Sequence, residues 1–379
     1  MNADLPFFDA RHRQLASRLT APLAELVAVA NRGESGDVDG AGQDAIRICA
    51  RHGLCRYLVP REFGGEGPDL RALCLIRESI ASASGLADSV LAVQGLGSFP
   101  LGKADAALAR KYLPAIADGT AIGAFALTEP DAGSDAASMA TSARRDGDEY
   151  VLSGTKVFIS NATIASFFVV FARTSPGPKR AISAFVVETG TKGLAVAPMH
   201  VTAPHPLGRL DMTECRIPSW HRIGAEGDGM SIALATLDFF RTSVGAAACG
   251  IAARALAESR TRALSRHQFG SRIADFQLTQ AALADMATEL DAARLLVYRA
   301  AWLKDTGQAR VPRESSMAKL FATEAAQRIV DRAVQIHGGA GVERGSVVER
   351  LYREVRAARI YEGTSEIQRL VIARHIIEE

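Results

Sequence analysis

Cysteine is scarce in this 379-residue sequence, which holds five: Cys49, Cys55, Cys74, Cys215 and Cys249. None stand at the spacing of a metal knuckle or a redox pair, and an odd number does not build a disulfide framework. They read as small buried thiols in a reducing compartment. An excess of one charge is also missing. Lys and Arg total 44 against 42 Asp and Glu, a formal charge of +2, which excludes strong global attraction to nucleic acid or to an anionic membrane and leaves room for a local basic pocket. Purely apolar runs are short, as from Phe167 to Ala172, so no segment is expected to span a bilayer. Met1 to Asp9 carries acidic residues where a secretory leader would be positive, and Ile377-Glu378-Glu379 is no peroxisomal address. A cytoplasmic protein is the expectation.

What is present is enough apolar residue, 48%, to bury a substantial core in two or three packed units. The first stretch, about 120 residues, is rich in Ala, Leu and Arg and broken by glycine clusters at Gly33–Gly36 and Gly64–Gly67, a helical pattern. From about Gly123 to Gly229 short β-branched or aromatic runs take over: Tyr150-Val151-Leu152, Val157-Phe158-Ile159, Phe167 to Phe171, Ile182 to Val187 and Leu194 to Val196. Turn-forming segments separate them, among them Ser175-Pro176-Gly177-Pro178, and this spacing predicts an antiparallel β-sandwich or barrel. Helix returns after Met230, where Leu283, Met286, Leu290, Ala293, Val297 and Ala300 step by three and four along one apolar face. The order α, then β, then α excludes a doubly wound nucleotide fold.

Five segments can carry chemistry. Phe125-Ala126-Leu127-Thr128-Glu129-Pro130-Asp131-Ala132-Gly133-Ser134-Asp135 is an apolar run ending in a dense turn, either an ordinary strand-to-loop turn or a ligand loop. In Gly154-Thr155-Lys156-Val157-Phe158-Ile159-Ser160-Asn161 an aromatic plane stands beside a hydroxyl, as a heteroaromatic ring edge requires, although a Phe in a strand is more often core. Arg266-His267-Gln268-Phe269-Gly270 and Phe276-Gln277 place Arg and Gln at a helix end, suited to phosphate or to surface ion pairs. Gln335-Ile336-His337-Gly338-Gly339-Ala340-Gly341 permits close backbone approach or merely stops a helix, and His337 has no second metal ligand at suitable spacing. In Ile360-Tyr361-Glu362-Gly363-Thr364-Ser365-Glu366 a carboxylate sits just before a helix N-cap, where partial desolvation would raise its pKa toward that of a working base. A solvated or capping Glu is the competing reading.

Taken together and in this order, these segments resemble the acyl-CoA dehydrogenase family over essentially the whole chain. The Leu127 to Asp135 block and the Tyr361-Glu362-Gly363-Thr364-Ser365 block are the most specific to it. The resemblance implies an α+β fold with an N-terminal α-helical domain (1–121), a middle antiparallel β-sandwich or barrel domain (122–228) and a C-terminal four-helix bundle (229–379). It implies FAD as cofactor and an acyl-CoA substrate, with an electron-transfer flavoprotein as electron acceptor. A homotetramer built as a dimer of dimers follows, with neither nucleic acid nor membrane as partner.

Residue by residue, the resemblance points to Phe125, Leu127, Thr128, Gly133 and Ser134 along the flavin ring, Ser134 also lying near the substrate. Phe158, Ile159 and Ser160 fall at the flavin edge. Arg266, Gln268, Phe269, Phe276, Gln277, Gln335, Gly338, Gly339, Thr364 and Glu366 fall on the rest of the cofactor. Asp238, Arg241 and Gly363 are implied as substrate contacts, and Glu362 as the base that removes the α-proton. Family members with the base on an earlier helix place it directly before the Arg of a Leu-Asp-x-x-Arg run; here that run is Leu237-Asp238-Phe239-Phe240-Arg241, and Phe240 cannot accept a proton.

Two departures bear on the substrate. The segment Gly208 to Pro218 is shorter than in common relatives, and Pro206 precedes Leu207-Gly208 where a Lys is frequent. An acyl group on a carrier protein is therefore the alternative to CoA, and a flavin oxidase or monooxygenase on the same fold is the alternative activity. The acyl tail is expected against Val93 to Phe99.

Overall fold

Alternation of side chains explains the centre of the molecule. In the computed structural model, which describes residues 5–177, 181–308 and 310–378, the strand Phe167–Arg173 sends Phe167, Val169 and Phe171 to one core and Phe168, Val170 and Ala172 to another. A strand buried on both faces must be apolar throughout, and each large side chain so buried contributes about 1.5–3 kcal/mol. Pro178 of the expected turn, residues 1–4 and Glu379 lie outside the described residues.

The helices are α1 (Ala10–Arg18), α2 (Leu23–Glu34), α3 (Val38–Arg51), α4 (Leu70–Ala83), α5 (Gly85–Ser98) and α6 (Ala106–Ala117), followed after the strands by α7 (Gly229–Ser265), α8 (Gln277–Asp305), α9 (Pro312–His337), α10 (Val347–Arg356) and α11 (Ser365–Glu378). The strands are β1 (Gly123–Ala126), β2 (Ser142–Asp146), β3 (Glu149–Ser160), β4 (Phe167–Arg173), β5 (Ile182–Glu188), β6 (Leu194–Met199), β7 (Leu207–Pro218) and β8 (Arg222–Ile223), with a hairpin of β9 (His267–Gln268) and β10 (Ser271–Arg272) further on. This is the helix–sheet–helix fold expected from the sequence.

The described chain forms two compact units. A strand unit gathers Asn31–Asp69 and Ser89–Phe240; a helical unit gathers the described residues of Met1–Ala30, Leu70–Asp88 and Arg241–Glu379. In the strand unit the order is β6-β7-β3-β2-β4-β5-β8, with β1 paired to β4. Most pairs are antiparallel, but β1 and β2 each run parallel to β4, so the sheet is mixed. Tyr150, Leu152, Leu210 and Met212 of β3 and β7 share a core with Phe168 and Phe185 of β4 and β5; the sheet curls over on itself, as in a barrel. The expected strands around Tyr150 and Val157 are one strand, β3.

In the helical unit α4 is buried along nearly its whole length and still carries charge. Each buried charge is paired, as burial demands: Arg71 with Asp305 at 3.0 Å, Arg77 with Asp88 at 2.8 Å, and Glu78 with Arg294 at 2.8 Å. The bundle helices pack tightly at Gly245 of α7, where a Cβ would lie 2.8 Å from Val297 of α8 and 3.4 Å from Ala322 of α9. The predicted face of α8 is buried at Met286, Leu290, Ala293, Val297 and Ala300. By length and composition α7 could cross a bilayer, but 78% of its most apolar window is buried in the protein, the mark of a core helix.

Candidate active site

Glu362 lies in the short link before α11. Thr364 caps that helix, its Oγ1 accepting from the Ile367 N–H at 3.3 Å. Ahead of the cap, Glu362 (φ 53°) and Gly363 (φ 93°) both adopt the left-handed region. Glycine does so freely, whereas a strained non-glycine residue costs of order 1–3 kcal/mol and persists only when its surroundings over-determine it. Here they do. Lys319 of α9, fully buried, donates from Nζ to the Gly363 carbonyl at 2.7 Å. Gln368 Nε2 donates to the same oxygen at 2.9 Å.

The carboxyl group itself is left unsatisfied. Glu362 is half-buried as a residue, yet its Oε2 is shut off from solvent with no hydrogen-bond partner among the described residues. Burial raises its pKa; Arg77 first, then Lys319 and Arg241, pull it back, and Asp88 adds to the rise. The result remains above the ordinary carboxylate value. Burial also pushes Lys319 down to about 8, against the opposing pull of Glu362. Beside Glu362, burial raises the Tyr361 hydroxyl, with Arg77 in electrostatic reach pulling it back, while the residue as a whole keeps some exposure. An acid with a raised pKa and an uncommitted oxygen is what proton abstraction at neutral pH requires.

In the strand unit the dense turn after β1 is stitched to β3. Lys156 Nζ donates to the Leu127 carbonyl at 3.0 Å and to Glu129 at 2.8 Å, while the Val157 N–H donates to the Thr128 carbonyl at 3.0 Å. Phe125 packs against Phe171 with ring centroids 4.9 Å apart, and Gly133 and Ser134 are exposed on the turn. Phe158 is 59% exposed at a φ of 55°, an apolar plane turned away from the core by a strained backbone. Ile159, by contrast, is core, so only its backbone is free to meet a ligand; Ser160 beside it is half-buried. An uncovered aromatic plane next to a hydroxyl and a glycine-bearing turn suits a flat heteroaromatic ring.

At the far end of α7 the residues expected on a helix terminus form a hairpin instead. Arg266 follows α7, Gln268 lies in β9, and Phe269-Gly270 makes the turn, with Phe269 at φ 51° and 96% exposed. Phe276 and Gln277 open α8. Gln335 is exposed on the last turn of α9, which Gly338 ends at φ 62°, ψ −140°, a glycine-only conformation with open space around it and around Gly339. Arg262 donates to the His337 carbonyl at 3.5 Å, so the ends of α7 and α9 meet. Glu366 is exposed on the first turn of α11. These donors and open glycine backbone fit a pyrophosphate.

Arg241 is buried and within electrostatic reach of Glu362, whereas Asp238 is half-buried one turn earlier on α7. Phe240 is buried, its ring filling the space over Gly95, where a Cβ would lie 2.4 Å away. The expected acyl-facing stretch is partly committed to packing: Gln94 bridges the Ala121 carbonyl and the Gly123 N–H at 2.7 and 2.8 Å, and Ser98 donates to the Leu58 carbonyl at 2.9 Å. The segment expected to be short forms strand β7, whose register against β3 shifts near Glu214, at φ 49°. Among the described residues, no three His, Cys, Asp or Glu side chains gather as a metal site, and all five cysteines are buried thiols outside any disulfide.

Sequence reasoning missed Arg77, Asp88, Ser243 and Lys319 around Glu362, and Lys156 as the stitch of the turn. A signal existed. Lys319 stands on a face with Ser315, Ala322 and Ala326, and Arg77 amid Leu73, Ile76 and Ile80; a lone cation on an apolar face is buried against a partner.

Comparison with known proteins agrees with this fold. The family models of the acyl-CoA dehydrogenase N-terminal, middle and C-terminal domains match residues 9–120, 124–215 and 227–377. A cyclohexane-1-carbonyl-CoA dehydrogenase of Geobacter metallireducens is 37% identical over 374 residues, covering 97% of this chain and 96% of the relative. An acyl-CoA dehydrogenase of Bacillus anthracis solved with FAD superposes with a TM-score of 0.92 at 32% identity, covering 98% of this chain and 67% of that one. The prolyl acyl carrier protein oxidase AnaB superposes at 0.88 with 30% identity, covering 97% and 99%. The chain therefore belongs to the acyl-CoA dehydrogenase family.

Proposed function

We propose that this protein is an FAD-dependent dehydrogenase of an acyl-CoA thioester, with Glu362 removing the α-proton to give the trans-2-enoyl product. The observation that carries this reading is the Glu362 carboxyl: buried, raised in pKa and holding an uncommitted oxygen. A thioester α-hydrogen is weakly acidic, so a positioned base contributes roughly 10²–10⁴-fold. FAD, when bound, supplies the hydride acceptor for the β-carbon. The chain's own residues do the rest. Phe125, Leu127, Thr128, Gly133, Ser134, Phe158, Ile159 and Ser160 would line the ring from the strand unit. From the helical unit Arg266, Gln268, Phe269, Phe276, Gln277, Gln335, Gly338, Gly339, Thr364 and Glu366 would hold its polar arm. Gly363 and Arg241, with Ser134 and Asp238, would contact the substrate, and the proton passes to a Glu362 oxygen. Electrons would leave through an electron-transfer flavoprotein, in a cytoplasmic homotetramer.

A carrier-protein thioester is the second reading, favoured by the likeness to AnaB. Anaerobic mixing with straight, branched, cyclic and aromatic acyl groups, each as the free CoA thioester and bound to a carrier protein, followed by flavin absorbance, tests the proposal. Bleaching by at least one free CoA thioester is expected; bleaching only by the carrier-bound forms would replace it with the second reading.

A further inference from the structure

Arg77 is almost fully buried and each of its guanidinium nitrogens is bonded. Nε and Nη2 donate to the two Asp88 oxygens at 2.9 and 2.8 Å, Nη1 donates to Ser243 Oγ at 2.8 Å, and the Tyr361 side chain lies within electrostatic reach. Asp88 and Ser243 are buried as well. Stability alone is a weak reason for such a pair, since apolar replacements of buried ion pairs are often neutral or stabilising. Its location supplies a better one. Three elements, α4, α5 and α7, converge through Arg77, Asp88 and Ser243 on the residue next to Glu362, whose left-handed backbone needs outside support.

We propose that the Arg77–Asp88 pair, locked on Ser243 and set beside Tyr361, is a positioning device that fixes the strained Tyr361–Glu362 turn and sets the charge felt by the base. The two halves act in opposite senses. Arg77 favours the ionised Glu362, Asp88 disfavours it, and Lys319 of α9 and Arg241 of α7 are the other charges facing the carboxyl. The pair thus trims a large positive field to a smaller one, keeping the base ionisable but still basic. Arg77 touches neither substrate nor the reacting atoms in this scheme; it acts through Tyr361 and Glu362. The inference rests on the reading of Glu362 as the base.

The test uses the FAD-loaded full chain without substrate. The infrared band of a protonated carboxyl that is lost in Glu362→Gln reports the titration of Glu362 directly. Asp88→Asn leaves Arg77 unneutralised and should move that titration to lower pH. Arg77→Met combined with Asp88→Asn, which avoids an unpaired buried acid, should move it to higher pH, and the acid limb of kcat/KM should follow. Arg77→Lys keeps the charge and loses the fork; it should leave the titration near its original pH while kcat falls several-fold at little-changed KM, and it serves if the double variant does not fold. Shifts of the same sign in both charge variants, or no shift in either, would overturn the proposal. Retained bleaching in Glu362→Gln would instead overturn the base assignment, whatever the infrared band shows.

Discussion

Two buried glutamates, one in each unit, show how the same side chain is put to opposite uses. Glu129 in the strand unit is saturated: Lys156 and the Thr141 N–H bond Oε1 at 2.8 and 3.0 Å, and the Ala140 N–H bonds Oε2 at 2.6 Å. Burial pushes its pKa up, but the bonds from Lys156 and Thr141 outweigh burial and hold it below the ordinary value. Lys156, driven down to about 8 by burial, still carries its charge at neutral pH. Glu362 in the helical unit has cations in electrostatic reach, yet an oxygen with no hydrogen bond among the described residues, and its pKa rises. A carboxylate that holds a loop has both oxygens hydrogen-bonded; one proposed to move a proton is kept short of such bonds.

The contrast can be broken most severely at the base. Glu362→Gln should keep FAD bound and lose substrate-driven bleaching by at least about a hundredfold, read by anaerobic stopped-flow absorbance. Undiminished bleaching would mean that another group takes the proton. Next in size is Lys156→Met, which leaves Glu129 buried and unpaired and should destabilise the protein by about 3–5 kcal/mol. Thermal unfolding measures this, and adding Glu129→Gln should recover part of the loss.

The pH dependence should separate the two acids by sign. Both have an ordinary value of 4.5. The depressed Glu129 contributes stability that is present above 4.5 and lost as pH falls through its folded pKa. The raised Glu362 contributes stability that is full below 4.5 and lost as pH rises through its folded pKa. Glu362→Gln should therefore gain stability relative to wild type at neutral pH and not in acid, while Glu129→Gln should flatten the acid-side loss. Denaturant midpoints across pH 3 to 8 check both, and matching slopes would dissolve the contrast. The smallest effect is expected at the cap of the base turn, where Thr364→Ala should cost about 1 kcal/mol. A kcat decrease larger than that loss explains would show that the cap also orients Glu362.

Much of the fold was legible because its signals are local. The face of α8 from Met286 to Ala300 has the helical period, β4 and β5 are apolar runs bounded by turns, and Thr364 before Ser365 announces a cap. Other parts were not. Ser142 to Asp146 is polar and reads as loop, but it becomes β2 by pairing with Glu149 to Ser153. The parallel pairing of β1 with β4 joins segments far apart in sequence, and no local pattern encodes it. Ile159 and Phe158 are neighbours of similar character; only the left-handed turn at Phe158 sends one to the core and the other to the surface.

The candidate site divides in the same way. Residue type and spacing alone were enough for the family and the order of its segments, because those depend on which side chains exist and where they fall along the chain. What surrounds Glu362 was settled in three dimensions. Arg77, Asp88, Ser243, Arg241 and Lys319 come from α4, α5, α7 and α9, and their meeting depends on helix packing over long separations. A carboxylate's proton affinity is a sum over nearby charges and lost water, both functions of distance, and distance exists only once the chain has folded.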